Sequence, residues 1–256
     1  MQLDRLLKQV LWVLFLTVLL LGVPRLAGLF ADQFNYSAID PDGVFARGSV
    51  RHIVQALIFL VLMVAIRRLT RIRFGFGRGD SRIGFLYVRI LTMIFIGYAV
   101  ILLTIAVATG AAPQPPFPVT TRNVAGQLGF QLLLSGPSEE LIFRAFAITM
   151  LALLVKGALF RGEQGVSRAV NKVFGKELTY ANIIAAIIFG LAHVRFEFAP
   201  FAVTFTTFQV FYAMILGLFY GVCYERSGSM YYPMLMHSIS NVVSVGVSVI
   251  AVMLVG

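Results

Sequence analysis

Seven apolar stretches run through the chain, at about 10–31, 53–66, 84–112, 123–155, 180–199, 201–223 and 233–255, and most of the charge falls between them. About 20 apolar residues make one bilayer crossing as a helix, and several such runs in one chain leave too little polar surface to face water. The side-chain balance agrees, with 59% hydrophobic and only 12% charged residues against about a quarter charged in a soluble domain. Mean hydropathy is +0.89 over the whole length, which excludes a soluble domain carrying one anchor. Disorder and a disulfide-stapled secreted domain are excluded on the same grounds, and the single Cys223 has no partner thiol. The expected fold is all-α: a polytopic transmembrane helical bundle of seven or eight helices, forming one membrane domain over 1–256 with its site between helices.

The net charge of +10 is placed by topology rather than by a nucleic-acid partner. Six arginines fall in 67–82 (Arg67, Arg68, Arg71, Arg73, Arg78 and Arg82) and five basic residues in 156–176 (Lys156, Arg161, Arg168, Lys172 and Lys176). Both runs lie between apolar segments, as the positive-inside rule requires of cytoplasmic loops. That assignment makes the chain an integral multi-pass protein of the cell membrane with a cytoplasmic N-terminus. Arg5 and Lys8 precede the first apolar stretch, which lacks a small-x-small cleavage site and reads as a retained helix, kinked or ended at Pro24. Segment 32–50 reads as an exposed loop, 110–118 as a proline-rich connector, and 156–179 as a basic insert with a short surface helix. Segment 123–155 is long for one crossing and is interrupted at Ser135-Gly136-Pro137-Ser138, so the helix count lies between seven and eight.

Ionisable groups inside apolar segments are costly, and they face a protein interior or a wet cavity. Here they are Arg89, Glu139, Glu140, Arg144, His193 and His237, joined by the amide of Asn241. His52 stands beside Arg51 at a segment edge and is expected at the membrane interface. Glu139 and Glu140 are expected to open a helix at Ser138, where acids in the first turn suit the dipole; on that ground alone both serve as caps. Arg144 argues for more, because it lies four residues after Glu140 on the same face and needs an anion. The pairing leaves Glu139 without a counter-ion and free to act as a general base. His237 and Asn241 are four apart and share a helix face. A glutamate base, a histidine and an imidazole/amide donor pair are the parts of a hydrolytic site.

These residues carry a family resemblance. Glu139-Glu140-Leu141-Ile142-Phe143-Arg144 matches the EExxxR motif of the CAAX protease and bacteriocin-processing family of intramembrane glutamic endopeptidases, which includes the type II CAAX prenyl proteases. Phe189-Gly190-Leu191-Ala192-His193 matches its FxxxH motif, and His237-Ser238-Ile239-Ser240-Asn241 its HxxxN motif. The resemblance covers 123–245, the expected catalytic core, and reaches the first hundred residues only in that they too are membrane helices. It implies that Glu139 and His193 activate water, that His237 and Asn241 donate to the oxyanion, and that Glu140 and Arg144 support them. Phe189 is taken as a packing residue. The 48 residues between Arg144 and His193 include the basic insert, which is a departure in length.

The expected activity is therefore an intramembrane endopeptidase without metal or other cofactor, acting on a membrane-associated peptide or lipidated peptide among membrane lipid. Two rivals share the residues. A zinc site could use two histidines and a glutamate, although no HExxH helix is present and Arg144 opposes a divalent cation. An immunity or scaffold protein could retain the motif without catalysis. The six phenylalanines between Phe196 and Phe211 either line a lipid-chain groove or face lipid. One count conflicts with the site: Glu139 and His193 fall roughly 20–25 Å from the cytoplasmic edge, whereas His237 falls only a few residues inside it.

Overall fold

The computed structural model describes residues 2–155, 178–198 and 201–255. Seven helices occur among them: α1 (Gln2–Ala31), α2 (Ala46–Thr70), α3 (Ser81–Thr109), α4 (121–155), α5 (Tyr180–Leu191), α6 (Thr207–Ser227) and α7 (Tyr231–Val255). Five of them, α1, α2, α3, α6 and α7, are long and apolar enough to cross a membrane. A short antiparallel hairpin, β1 (Arg195–Phe198) with β2 (Phe201–Thr204), joins α5 to α6 and is the one sheet among the described residues. The protein is an all-α helical membrane bundle. Of the basic insert 156–179, with its expected short surface helix, residues 156–177 lie outside the described residues.

The expected break in 123–155 is absent, which brings the count to seven among the described residues. Two π-helical stretches, Gln131–Ser135 and Leu141–Phe146, flank Gly136–Glu140 inside α4, and Ser135 and Gly136 keep right-handed helical dihedrals. Pro137 has no N–H to give and its ring would press on the carbonyl of Leu133 in a regular α-helix. The wider turn before it relieves that clash, so the helix bends past the proline instead of ending. Ser138 is consequently an interior residue, 5% exposed, and not the expected cap.

Elsewhere, local chemistry sets the helix starts. Thr120 caps α4 through Asn123, Thr179 caps α5 through Asn182, and Asp80 caps α3 through the amides of Arg82 and Ile83. At α2 the work passes to Asp40, whose carboxylate accepts from the amides of Val44, Phe45 and Ala46 at 2.8, 2.7 and 2.7 Å. Asp40 is 3% exposed, so the expected open loop is tied down at this residue and the helix starts at Ala46.

The helices alternate in direction, and hydrogen bonds identify both ends of the bundle. The α2–α3 loop meets the α6–α7 turn where the Asp80 amide donates to Ser227 O (2.7 Å) and the Met230 amide to Gly75 O (3.0 Å). At the same level Thr149 pairs with Tyr224 (2.9 Å), and Trp12 donates to Met150 O (3.2 Å). This is the arginine-rich end. At the opposite end Asn123 donates to Asp42 (3.0 Å), Arg47 pairs with Asp32, and Arg25 lies over the Phe196 ring of β1 at 5.1 Å.

Two apolar clusters hold the bundle. One joins α1, α2, α4 and α5 around Phe59, Ile142, Phe146 and Ile188; the other joins α3, α6 and α7 around Leu91, Tyr220, Cys223 and Met236. Gly84 lets α3 approach α7, since a Cβ there would run into the Tyr232 ring. Phe201, Phe205, Phe208 and Phe211 are 58–76% exposed and face outward. A lateral apolar groove of about 570 Å³ between α3 and α6 is lined by other aromatics, among them Tyr87, Phe95, Tyr98 and Phe219.

Candidate active site

Gly136 brings the acidic turn of α4 against α7. A Cβ at this position would stand 2.8 Å from the backbone nitrogen of Ser238, a contact that only glycine avoids. The Ser238 hydroxyl closes the seam by donating to Leu132 O (2.8 Å). With the two backbones this close, Glu139 and Glu140 meet His237 directly.

Glu140 is fully buried and shared. Its Oε2 lies 3.0 Å from Nε of Arg144, as the four-residue spacing implied, and its Oε1 lies 2.8 Å from Nδ1 of His237. A carboxylate only accepts, so Nδ1 carries the proton and the His237 ring presents Nε2 to the site. Arg144 is 1% exposed and completes its surroundings with aromatic faces, its guanidinium 4.4 Å from the Phe189 centroid and 5.5 Å from that of Tyr220. Tyr220 also stacks on His237 at 5.2 Å and donates to or accepts from Ser240 at 2.7 Å.

Glu139 points the other way round the helix and keeps 18% of its side chain exposed. Its Oε2 is 3.8 Å from Nε2 of His237 and its Oε1 is 3.9 Å from Nε2 of His52. His193 and Arg51 are also within electrostatic reach of this carboxylate. Imidazoles therefore face the Glu139 carboxylate where a counter-ion was expected to be missing. Both contacts exceed a direct hydrogen bond, which leaves the carboxylate able to take a proton from a third group.

His193 follows the end of α5, and its Nδ1 pairs with Phe189 O at 2.9 Å. A carbonyl only accepts, so here too Nδ1 holds the proton and Nε2 is the available atom. Phe189 stands between the two histidines, 5.0 Å from the His193 ring and 5.9 Å from the His237 ring, each edge-on. It packs between the two rings while its face receives Arg144. Asn241 is a turn above His237 and its amide nitrogen is engaged, at 2.8 Å with Gln131 Oε1 and 3.4 Å with Ser135 Oγ.

His52 is 2% exposed and packs inside the bundle rather than on its surface. Its Nε2 receives Arg51 Nη2 at 2.9 Å and its Nδ1 meets Ser138 Oγ at 2.6 Å, while Ser138 donates to Ser135 O. Gln55 joins at 3.1 Å from Ser138. Arg51, His52, Gln55, Ser138, Gln131 and Tyr220 are site neighbours that the sequence did not assign to the site. One signal was present: His52 and Gln55 are three apart, on one face of an apolar helix.

The depth conflict shrinks once α4 is measured from the right level. Thr149, not Lys156, lies level with the α6–α7 turn, so Glu139 is ten residues or about 15 Å above it. His237 is seven residues or about 10 Å above Met230. The motifs meet near the middle of the bundle.

Among the described residues no three His, Cys, Asp or Glu side chains converge as a metal-ligand set. Fold and site together define a helical membrane protein with an acidic, histidine-flanked cluster inside the bundle. Residues 121–243, just under half of the chain, match the family described as type II CAAX prenyl endopeptidase Rce1-like. Over this stretch the chain is similar to the type II CAAX prenyl endopeptidases, a family of membrane peptidases. Comparison with curated proteins and with solved structures gives no match.

Proposed function

We propose that the protein is a glutamic-type intramembrane endopeptidase whose base is Glu139. The observation that carries this is the placement of Glu139, partly open and 3.8 Å from an imidazole that Glu140 holds in one tautomer. A water between Glu139 and the histidine Nε2 atoms loses its proton to the Glu139 carboxylate as its oxygen attacks the peptide carbonyl. The carbonyl oxygen becomes an oxyanion, stabilised by His237 through Nε2–H when the ring is cationic and by one Asn241 N–H given up from Ser135. The C–N bond then breaks, and the proton held by Glu139 passes to the leaving amine. His193 shares the water through Nε2, and Glu140 with Arg144 supports His237. The catalytic core is 123–245 within a single membrane domain.

The proposed substrate is a peptide bond in a membrane-associated or lipid-modified peptide, and the location is the cell membrane with the N-terminus in the cytoplasm. The buried Arg144 guanidinium, 3.0 Å from Glu140, opposes a divalent cation here and favours this over the zinc alternative. An unbiased comparison of peptide termini from membranes and medium, wild type against Glu139→Gln, tests the proposal. It predicts a set of termini lost only in the variant.

A further inference from the structure

We propose that His52 is a positioning residue for Glu139, acting from α2 through Ser138. This rests on the peptidase proposal above and adds to it a residue outside the stretch 121–243 that matches the family.

The neighbours of His52 fix its tautomer. Arg51 Nη2 lies 2.9 Å from His52 Nε2, and a guanidinium only donates, so Nε2 accepts and the ring proton is on Nδ1. From there it is donated to Ser138 Oγ at 2.6 Å. Gln55 donates to the same oxygen at 3.1 Å, and Ser138 gives its own proton to Ser135 O at 3.2 Å. Two donors and one acceptor fill the bonding capacity of a hydroxyl. Phe130 closes on the His52 ring edge-on at 5.1 Å. His52, Gln55 and Ser138 are each no more than 5% exposed, so little water competes for these bonds.

Ser138 is the residue before Glu139, in the segment Gly136–Glu140 that lies between two π-helical stretches. The hydrogen-bond ladder of α4 changes register on both sides of this segment, so contacts outside α4 are needed to fix it. Gly136 seats it against α7, and His52 with Gln55 seats it against α2. The Glu139 carboxylate is held between these two helices, 3.8 Å from His237 Nε2 and 3.9 Å from His52 Nε2.

His52 differs from His237 in what it offers there. Its Nε2 bears no proton and is already bonded to Arg51, so it cannot occupy the lone pairs of the base. Arg51 donates to His52 and remains within electrostatic reach of Glu139. His52 thus holds the base in place while leaving its oxygens free for water. Misplacing a reacting group by about 1 Å can cost as much as about 10²-fold in rate, which sets the scale of the effect.

The tautomer is read without a substrate. The chain has three histidines, so in ring-¹⁵N-labelled protein the imidazole signal lost in His52→Asn belongs to His52. The expected ring is neutral near neutral pH with its proton on Nδ1; a cationic or Nε2-protonated ring overturns the proposal. Rates then test the positioning. His52→Leu keeps the volume and removes the donor, whereas His52→Asn restores a side-chain N–H near the place of Nδ1. On a substrate identified from the lost termini, His52→Leu should lower kcat by about 10–10²-fold with KM within about twofold of wild type. His52→Asn should recover most of that loss. Folded His52→Leu protein with the wild-type kcat overturns the proposal, and so does folded His52→Asn protein as slow as His52→Leu. Where His52→Leu fails to fold, Ser138→Ala takes its place with the same expected loss. Where neither folds, the tautomer and the near-wild-type rate expected of His52→Asn decide. A Glu139→Gln protein that still cleaves sinks the peptidase proposal instead, and leaves the tautomer result standing.

Discussion

Arg144 and Glu140 lie one helical turn apart with Nε and Oε2 separated by 3.0 Å, and both side chains are removed from solvent. Breaking this pair on one side strands a charge in the bundle at a cost of about 3–5 kcal/mol. Glu140→Gln and Arg144→Ala are therefore expected to lower both abundance in the membrane and the melting temperature in detergent. The double variant Glu140→Leu/Arg144→Leu should recover much of the lost stability and none of the activity, because His237 then has no acceptor for Nδ1–H. Equal stability in the two single variants and the wild type would contradict a buried pair.

His237 and Asn241 are expected to act in the transition state. On a substrate identified from the lost termini, His237→Ala and Asn241→Ala should each lower kcat by roughly 10²–10³-fold with little change in KM. The double variant should lose less than the product of the two, since both groups address one oxygen. Thermal melting run beside single-turnover rates separates this role from packing, because His237 also stacks on Tyr220. A stable, fully active His237→Ala protein would end the donor role.

Chelation should leave turnover unchanged. The proposed water activation uses Glu139 and imidazole nitrogen alone, so dialysis against EDTA or a phenanthroline is expected to have no effect, with zinc below one equivalent by metal analysis. Activity lost to chelation and restored by Zn²⁺ would transfer these residues to the metalloprotease scheme.

Asp40 makes the start of α2 sensitive to acid. Burial pushes its pKa up, but the amides of Ala46, Val44, Phe45 and Gly43 outweigh that and hold it below the usual carboxylate value. A carboxyl with a depressed folded pKa contributes stability that is present above its unfolded pKa and is lost as pH falls through the folded one. Asp40→Asn should cost about 1–3 kcal/mol near neutral pH, as expected for hydrogen bonds to a charged acceptor. Its melting temperature should also fall less steeply than that of the wild type on acidification below the ordinary carboxylate range. Parallel pH dependences for the two proteins would assign the acid sensitivity elsewhere.

Much of the bundle was legible because bilayer thickness fixes how long an apolar run must be, and the seven runs stand where the seven helices are. The Glu140–Arg144 pair was legible because four-residue spacing on a helix is itself a distance. The continuity of α4 was not. Serine, glycine and proline in succession signal a break, and only the neighbouring π-helical turns, which have no local signature, let the helix pass through Pro137. His52 was misplaced for a related reason. Sequence position put it at a segment edge, whereas burial is decided by Ser138 and Phe130 of α4, more than 75 residues away in the chain. The engagement of Asn241 with Gln131 is likewise a tertiary contact that spacing does not encode.

The Glu139 carboxylate is the proposed base. The most direct test of that role is the rate of peptide-bond hydrolysis by purified Glu139→Gln protein that matches the wild type in abundance and melting temperature. The amide fills the same space and cannot take a proton from water, so hydrolysis is expected to fall by at least about 10²-fold, the low end for removing a general base. A folded Glu139→Gln protein that cleaves at the wild-type rate would contradict the account.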